Sequence, residues 1–213
     1  MACKICQTRR ARRLCPGIGG DICPVCCGRE RENTVDCPLE CEYLQASRGR
    51  ENMPEIDPES VPNRDIEVSE KFLQEQAELL DATIRGLATA AWGIPGAVDR
   101  DVREALDALA RTYRTLQSGL YYESKPANLL AARICELMKV GLEEFRKSAA
   151  ERQGIATVRD AGILGVLVFL QRMGLQWDNS RPRRRAFMEF LRQHAGMGQE
   201  AGGEGGGSSL VVP

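Results

Sequence analysis

Apolar residues recur at three- and four-residue steps through most of this chain, and this spacing predicts amphipathic helices. Five segments between residues 66 and 196 show the pattern. They cover about residues 66–92, 99–120, 126–153, 160–173 and 180–195. Glycine or proline stands at or beside each break, as at Gly93 and Pro95, which is typical of helix ends. The pattern therefore predicts an all-α bundle of about five helices over residues 66–196.

The third predicted helix should bury a wide apolar face. Its members are Leu129, Leu130, Ile134, Leu137, Met138, Leu142 and Phe145. The second predicted helix should likewise turn Leu120 inward at its end. Both expectations follow from the three- and four-residue spacing alone.

The fourth predicted helix differs from the others because residues 161–170 carry no charge. Thr157, with Asp160 three residues on, resembles a capping box and marks its start. An uncharged run of this length predicts a helix that is buried on nearly all sides, with the other helices around it. A buried strand is the alternative, since Val166, Val168 and Phe169 favour strands.

The pattern changes outside the helical region. Residues 1–44 hold few apolar side chains and cannot form an ordinary hydrophobic core, so they need a cross-link. Residues 45–65 are acidic and contain Pro54, Pro58 and Pro62, which predicts a stiff linker and a domain boundary. Residues 197–213 are rich in Gly, Ser and Glu, which predicts a disordered tail.

Composition agrees with a helical protein and sets limits on its partners. Of the 213 residues, 43% are hydrophobic but only 5% aromatic, which favours helices over sheets. The net charge of −1 provides no strong overall field for nucleic acid or an anionic membrane. No apolar run approaches 18 residues, so we expect no membrane association. The amino end enters the cysteines without a hydrophobic signal region, which favours a cytoplasmic location.

Eight of the nine cysteines stand in residues 1–44, spaced C-x2-C-x8-C-x7-C-x2-C-C-x9-C-x3-C. They are Cys3, Cys6, Cys15, Cys23, Cys26, Cys27, Cys37 and Cys41. The two C-x2-C pairs stand sixteen residues apart, a spacing that is typical of zinc sites. Each C-x2-C turn directs two thiolates at one ion, and two such turns complete a closed tetrahedron. The sequence therefore predicts a small zinc-binding domain that is folded by two structural Zn²⁺ ions.

Two divisions of the eight cysteines between the ions are open. In the first, one ion is held by Cys3, Cys6, Cys23 and Cys26, and the other by Cys15, Cys27, Cys37 and Cys41. In the second, one ion is held by Cys3, Cys6, Cys26 and Cys27, and the other by Cys15, Cys23, Cys37 and Cys41. Disulfides are disfavoured because no secretory signal accompanies the block. An iron–sulfur cluster is disfavoured because the block lacks a C-x2-C-x2-C run.

In ligand number and interleaved order, residues 3–41 resemble the double-zinc, cross-braced fingers that include B-box and RING-type modules. The resemblance implies metal binding. The block departs from those families in having no histidine ligand, an adjacent Cys26–Cys27 pair and different loop lengths. Ubiquitin transfer is therefore not implied.

A first basic cluster, Arg9, Arg10, Arg12 and Arg13, lies between the second and third cysteines. Arginine clusters pair with phosphate, so these residues are a candidate nucleic-acid-binding site. The block as a whole weakens that interpretation. Its charge is +1 before metal and −3 once eight thiolates hold two divalent ions. Offsetting thiolate charge is therefore a competing role for these arginines.

A second basic cluster stands at the start of the fifth predicted helix and consists of Arg181, Arg183, Arg184 and Arg185. Positive charge at a helix N-terminus opposes the helix dipole. The cluster is therefore expected either to pair with acidic residues such as Asp178 and Glu189, or to bind an anion or a partner.

The sequence contains no recognisable catalytic constellation. His194 is the only histidine, it is expected at the surface near a helix end, and nothing around it suggests a triad. Cys135 stands among apolar residues and is expected in the core. These observations predict a non-enzymatic zinc-finger adaptor whose partner is another protein. The alternatives are a nucleic-acid-binding regulator that uses Arg9–Arg13, and an enzyme with an unrecognised site in the helical region.

Overall fold

A computed structural model describes residues 1–52, 54–153 and 158–197 of the chain. Within them lie two strands, β1 (Arg13–Cys15) and β2 (Gly20–Ile22), and a 3₁₀ helix at Pro58–Ser60. The α-helices are α1 (Pro24–Glu30), α2 (Glu42–Arg48), α3 (Glu70–Glu75), α4 (Ala77–Trp92), α5 (Asp99–Gln117), α6 (Leu129–Gln153), α7 (Asp160–Gln176) and α8 (Ala186–His194). The prediction of a mainly helical chain is confirmed.

The N-terminal block, residues 1–44, is built on a short antiparallel hairpin that the sequence pattern did not predict. Strands β1 and β2 pair with Leu14 opposite Asp21, and Gly19 takes a φ of +66° in the turn between them. The small core of the block consists of Cys3, Cys15, Ile22, Cys23, Cys26 and Val35. Four of these six side chains are cysteines, which agrees with the need for a cross-link.

Helix α7 is the buried helix of the domain, as its uncharged sequence predicts. Every residue from Ile163 to Leu170 is buried. Phe72 of α3 and Phe187 of α8 reach α7 at two glycines. A Cβ atom would lie 2.4 Å from the Phe72 ring at Gly165 and 3.3 Å from the Phe187 ring at Gly174. The glycines thus allow two aromatic rings to approach the α7 backbone.

The helical region differs from the prediction in several boundaries, and two of the differences are large. The first predicted helix is divided into α3 and α4, because the backbone at Gln76 leaves helical values (φ −102°, ψ 18°). Helix α3 is capped by Ser69, whose hydroxyl oxygen accepts a hydrogen bond from Phe72 N at 3.2 Å. The last helix begins at Ala186 rather than near residue 180.

Three leucines that were predicted to be buried are exposed instead. Leu129 is 84% exposed and Leu137 is 47% exposed on α6, while Leu120 lies beyond the end of α5. Helix α6 packs on α4 and α5 along one side only. The apolar stripe of α6 is therefore wider than the surface that its neighbours cover, and the prediction for these leucines was wrong.

The proline-rich segment after the block lies against the helical domain. The Asn63 side-chain amide donates to Gln171 Oε1 at 2.8 Å, and Arg114 donates to both Asp65 carboxylate oxygens at 2.8 and 2.9 Å. Arg172 Nη2 donates to the carbonyl of Ile66 at 2.8 Å. These contacts hold residues 62–66 on α5 and α7.

Some predictions fall outside the described residues. These are the capping residue Thr157, and the predicted tail from residue 198 onward. In the described part of the chain, every helix is too short or too polar to cross a lipid bilayer.

Candidate metal centre and basic surfaces

Two turns of the N-terminal block bring four cysteines together. Cys3 and Cys6 lie on a turn that is closed by a hydrogen bond from Gln7 N to Cys3 O at 2.8 Å. Cys23 is the N-cap of α1, and Cys26 N donates to Cys23 Sγ at 3.4 Å. Each C-x2-C turn therefore places both of its sulfur atoms on the same side of the backbone.

The four sulfur atoms lie within 4.8 Å of one another in a largely buried group: Cys3, Cys6, Cys23 and Cys26. A tetrahedral zinc site with Zn–S bonds of about 2.3 Å places its sulfurs about 3.8 Å apart. Among the described residues this is the only group of three or more metal-ligating side chains gathered so closely. The group could hold a metal ion, and its members are those of the first of the two divisions.

Burial and hydrogen bonding act in opposite directions on the thiols of this group. The Thr8 hydroxyl, together with the backbone amides of Arg9 and Thr8, lowers the pKa of Cys6 to about 5. Burial and three neighbouring thiols raise the pKa of Cys26 to about 12. Four adjacent thiolates repel one another, and a divalent cation at their centre removes that repulsion. The donor set therefore fits a thiophilic metal ion.

A small cavity of about 10 Å³ is lined by the other four cysteines of the block: Cys15, Cys27, Cys37 and Cys41. Their sulfurs are not drawn together as closely as those of the first group. Arg13 Nη1 and Arg31 Nη2 donate to the Cys27 sulfur at 3.4 and 3.6 Å. The structure thus contains one closely gathered four-cysteine group, and an eight-cysteine zinc domain is not confirmed.

The first basic cluster contains one engaged arginine and three exposed ones. Arg13 contacts Cys27 and lies over the Tyr43 ring, 4.6 Å from its centroid. The side chains of Arg9, Arg10 and Arg12 are exposed, and none of them bonds to another side chain in the described residues. Among these four arginines, only Arg13 contacts a thiol.

The second basic cluster faces the N-terminal block, and its central residue is the buried Arg184. Arg184 donates to Glu32 Oε2 at 3.4 Å and to Glu51 Oε2 at 2.7 Å. Arg48 Nη2 donates to the other oxygen of Glu32 at 2.6 Å. Glu32 is only 1% exposed, and its φ of 51° lies in the left-handed region. Two guanidinium groups therefore compensate one buried carboxylate between the block and the helices.

The other arginines of this cluster surround the same contact. Arg181 Nη2 donates to the carbonyl of Gly28 at 3.2 Å, and Arg185 forms an ion pair with Asp36. Arg183 has an exposed side chain, but its backbone amide donates to Glu32 O at 2.8 Å. The acidic partners are Glu32 and Asp36 of the block and Glu51 of the segment after it. The nearby Asp178 pairs with Arg103 instead, and Glu189 pairs with Arg48 and Arg192.

The two remaining candidates for chemistry are packed against other groups. Cys135 is buried, and burial raises the pKa of its thiol to about 11. His194 is partly buried rather than at the surface, with Nδ1 2.9 Å from Phe190 O and its ring 4.0 Å from the Phe190 ring. Within the described residues, neither side chain forms a hydrogen bond with a second titratable side chain.

The larger cavities are shallow grooves lined by side chains that pair with one another. One, of about 400 Å³, lies between α5, α7 and Pro62, and Gln171 Nε2 there donates to Asp107 at 2.6 Å. Another, of about 440 Å³, lies at the junction of the block with the helices, where Arg184 pairs with Glu51. Each groove thus contains at least one pair of lining side chains that bind one another.

Comparison of the chain with protein-family models, with curated proteins and with solved structures finds no match. The geometry of the cysteine group and of the two arginine clusters therefore carries the functional interpretation.

Proposed function

We propose that this chain is a non-enzymatic adaptor whose N-terminal block is folded by structural zinc and binds another protein. One observation carries the proposal. The block and the start of the segment after it meet the helical domain through residues 28–51, whereas Arg9, Arg10, Arg12 and Leu14 are exposed. The helical domain thus covers one part of a metal-folded unit, and a separate basic and apolar surface stays available to a partner.

Zinc is the metal that suits the cysteine group best. Four thiolates form a closed tetrahedral site, which leaves no coordination position for a substrate or an activated water. We place one structural ion on Cys3, Cys6, Cys23 and Cys26, and a second on Cys15, Cys27, Cys37 and Cys41. Metal-ligand bonds in such a site contribute directly to folding, as a unit with so few apolar side chains requires.

The exposed surface of the block indicates the chemistry of its partner. Leu14 on β1 and Val25 on α1 expose more than half of their area, in the same small block as the three free arginines. Arginine and apolar side chains together are typical of protein interfaces. We therefore expect an acidic segment of another protein that also carries apolar residues.

Nucleic acid is the second candidate, and the same three free arginines support it. The aromatic side chain of the block is not free for base stacking, because Arg13 lies over the Tyr43 ring. A nucleic-acid complex would therefore depend on phosphate contacts alone and should weaken steeply as salt rises.

Affinity purification of the tagged full chain from its native cells tests the adaptor function. We expect a protein to copurify with the wild-type chain and to be lost with the triple variant R9A/R10A/R12A. The control is R50A/R100A/R111A, which removes the same charge from three exposed arginines outside this surface. The control should retain the partner.

Two outcomes contradict the proposal. Retention of the partner by R9A/R10A/R12A shows that this surface is not the binding site. Nuclease treatment gives the second. If nucleic acid copurifies with the chain, and nuclease removes both the nucleic acid and every copurifying protein, the surface binds nucleic acid instead.

A further inference from the structure

We propose that the outward face of α6 pairs with the same face of a second copy of this chain, with the two helices antiparallel. The starting observation is the apolar surface that the bundle leaves uncovered. Leu137 is 47% and Val140 is 57% exposed in the middle of α6, a helix of 25 residues. An exposed apolar strip on a long helix is a typical contact surface.

The spacing along this face is that of a helix–helix seam. Arg133, Leu137, Val140 and Glu144 are exposed and follow one another at steps of four, three and four residues. Such steps place side chains in one line along a helix, as at the contact positions of a coiled coil. The line has apolar side chains at its centre and opposite charges at its two ends.

This arrangement of charge is complementary to itself. A two-fold axis that passes between Leu137 and Val140 places each leucine opposite the valine of the other copy. The same axis places Arg133 opposite Glu144 of the other copy, and does so twice. Neither side chain has a hydrogen-bond or ion-pair partner within the described residues. A two-fold interface requires this kind of self-complementarity.

The backbone permits close approach at the same place. A Cβ atom added at Gly141 would meet no atom within 4 Å, so the helix surface beside Val140 is open. The segment before α6 extends the surface, because Leu120, Tyr121 and Tyr122 are largely exposed. Lys139 ties this segment to the flank of α6, since it bonds to Glu123 and, at 2.9 Å, to Glu136.

Sedimentation equilibrium of the purified full chain over about 1–200 μM tests this inference. We expect a monomer–dimer equilibrium that is weakened about tenfold or more by R133E or by E144R, because each change faces like charges across the seam twice. The double variant R133E/E144R exchanges the two charges and should restore the dimer. The control R111E makes the same charge change at an exposed position of α5 and should leave the equilibrium unchanged.

The exchange of charges distinguishes pairing at this face from a general effect of mutation. A wild-type chain that stays monomeric up to 200 μM overturns the inference. A dimer that neither single reversal weakens, or that the double variant fails to restore, also overturns it. Circular dichroism should show unchanged helicity in all variants, since every altered side chain is exposed.

Discussion

Single buried residues hold the C-terminal helix of this protein in place, and Asp99 is the clearest example. Its carboxylate accepts hydrogen bonds from Phe187 N at 3.0 Å and Met188 N at 2.9 Å. These amides belong to the first turn of α8, whose own N-cap residue provides no side-chain bond. Burial raises the pKa of Asp99, while the two amides act against that rise. One residue of α5 thus caps a helix that begins 87 positions later.

We expect Asp99→Ala to lower the free energy of unfolding by about 1–3 kcal/mol, since two buried amides lose their acceptor. Urea denaturation of the two proteins measures the difference. The control is Asp81→Ala, which removes an acid from an exposed pair with Arg85 and should change stability by less than about 0.5 kcal/mol. Equal effects of the two substitutions would show that the cap contributes nothing.

Among the elements, the hairpin and α1 differ from every helix of the bundle in what stabilises them. The helices share one continuous apolar core, whereas the core of the block contains six side chains. An element with so little buried apolar surface needs a cross-link for its fold, and the proposed metal-ligand bonds would supply it.

Native mass spectrometry should therefore find two zinc ions for each chain. We expect Cys3→Ser to lose the ion of the first site and Cys41→Ser to lose the other, because thiolates are the ligands of both. The control Cys135→Ser alters a buried cysteine of α6 and should retain both ions. A single ion in the wild-type protein would remove the second site, and a protein without zinc would overturn the structural role of this metal.

Sequence patterns predict a structural element well when the spacing of nearby residues alone determines its structure. The uncharged run of α7 and the C-x2-C turns follow from local rules, and the structure has a buried helix and a gathered cysteine group there. The hairpin escaped prediction because each strand has only three residues, too few to show alternation. The exposure of Leu137 was not predicted, because residue spacing identifies the apolar stripe of a helix but not how much of that stripe the neighbouring helices cover.

At the scale of the whole molecule, the decisive contact joins the N-terminal block to the start of α8. Arg184 and Glu32 lie 152 positions apart and are both buried. The local sequence around Arg184 contains Asp178 and Glu189, but the fold directs both of these acids to other arginines. No sequence rule connects residues at such a distance, so the role of this cluster as a docking surface could not be predicted.

We expect Arg184→Met to destabilise the protein by about 3 kcal/mol, because it leaves a buried carboxylate with one cation instead of two. Amide hydrogen exchange of residues 28–37 should increase in the same variant, as these residues lose their contact with the helices. Arg183→Ala is the matched control, since its exposed side chain makes no such contact. Unchanged exchange in the Arg184 variant would contradict a docking role.

The contact between Glu32 and the residues before α8 can form only late in the synthesis of the chain. The block leaves the ribosome first, and at 5–20 residues per second about 8–30 s pass before Arg184 is made. Throughout that interval Asp36 lacks Arg185, and Glu32 has only Arg48 of the two arginines that neutralise it in the finished protein. A chain that is released early, before residue 181, therefore leaves Asp36 unpaired and the Glu32 carboxylate with one cation instead of two, because Arg184 and Arg185 are missing.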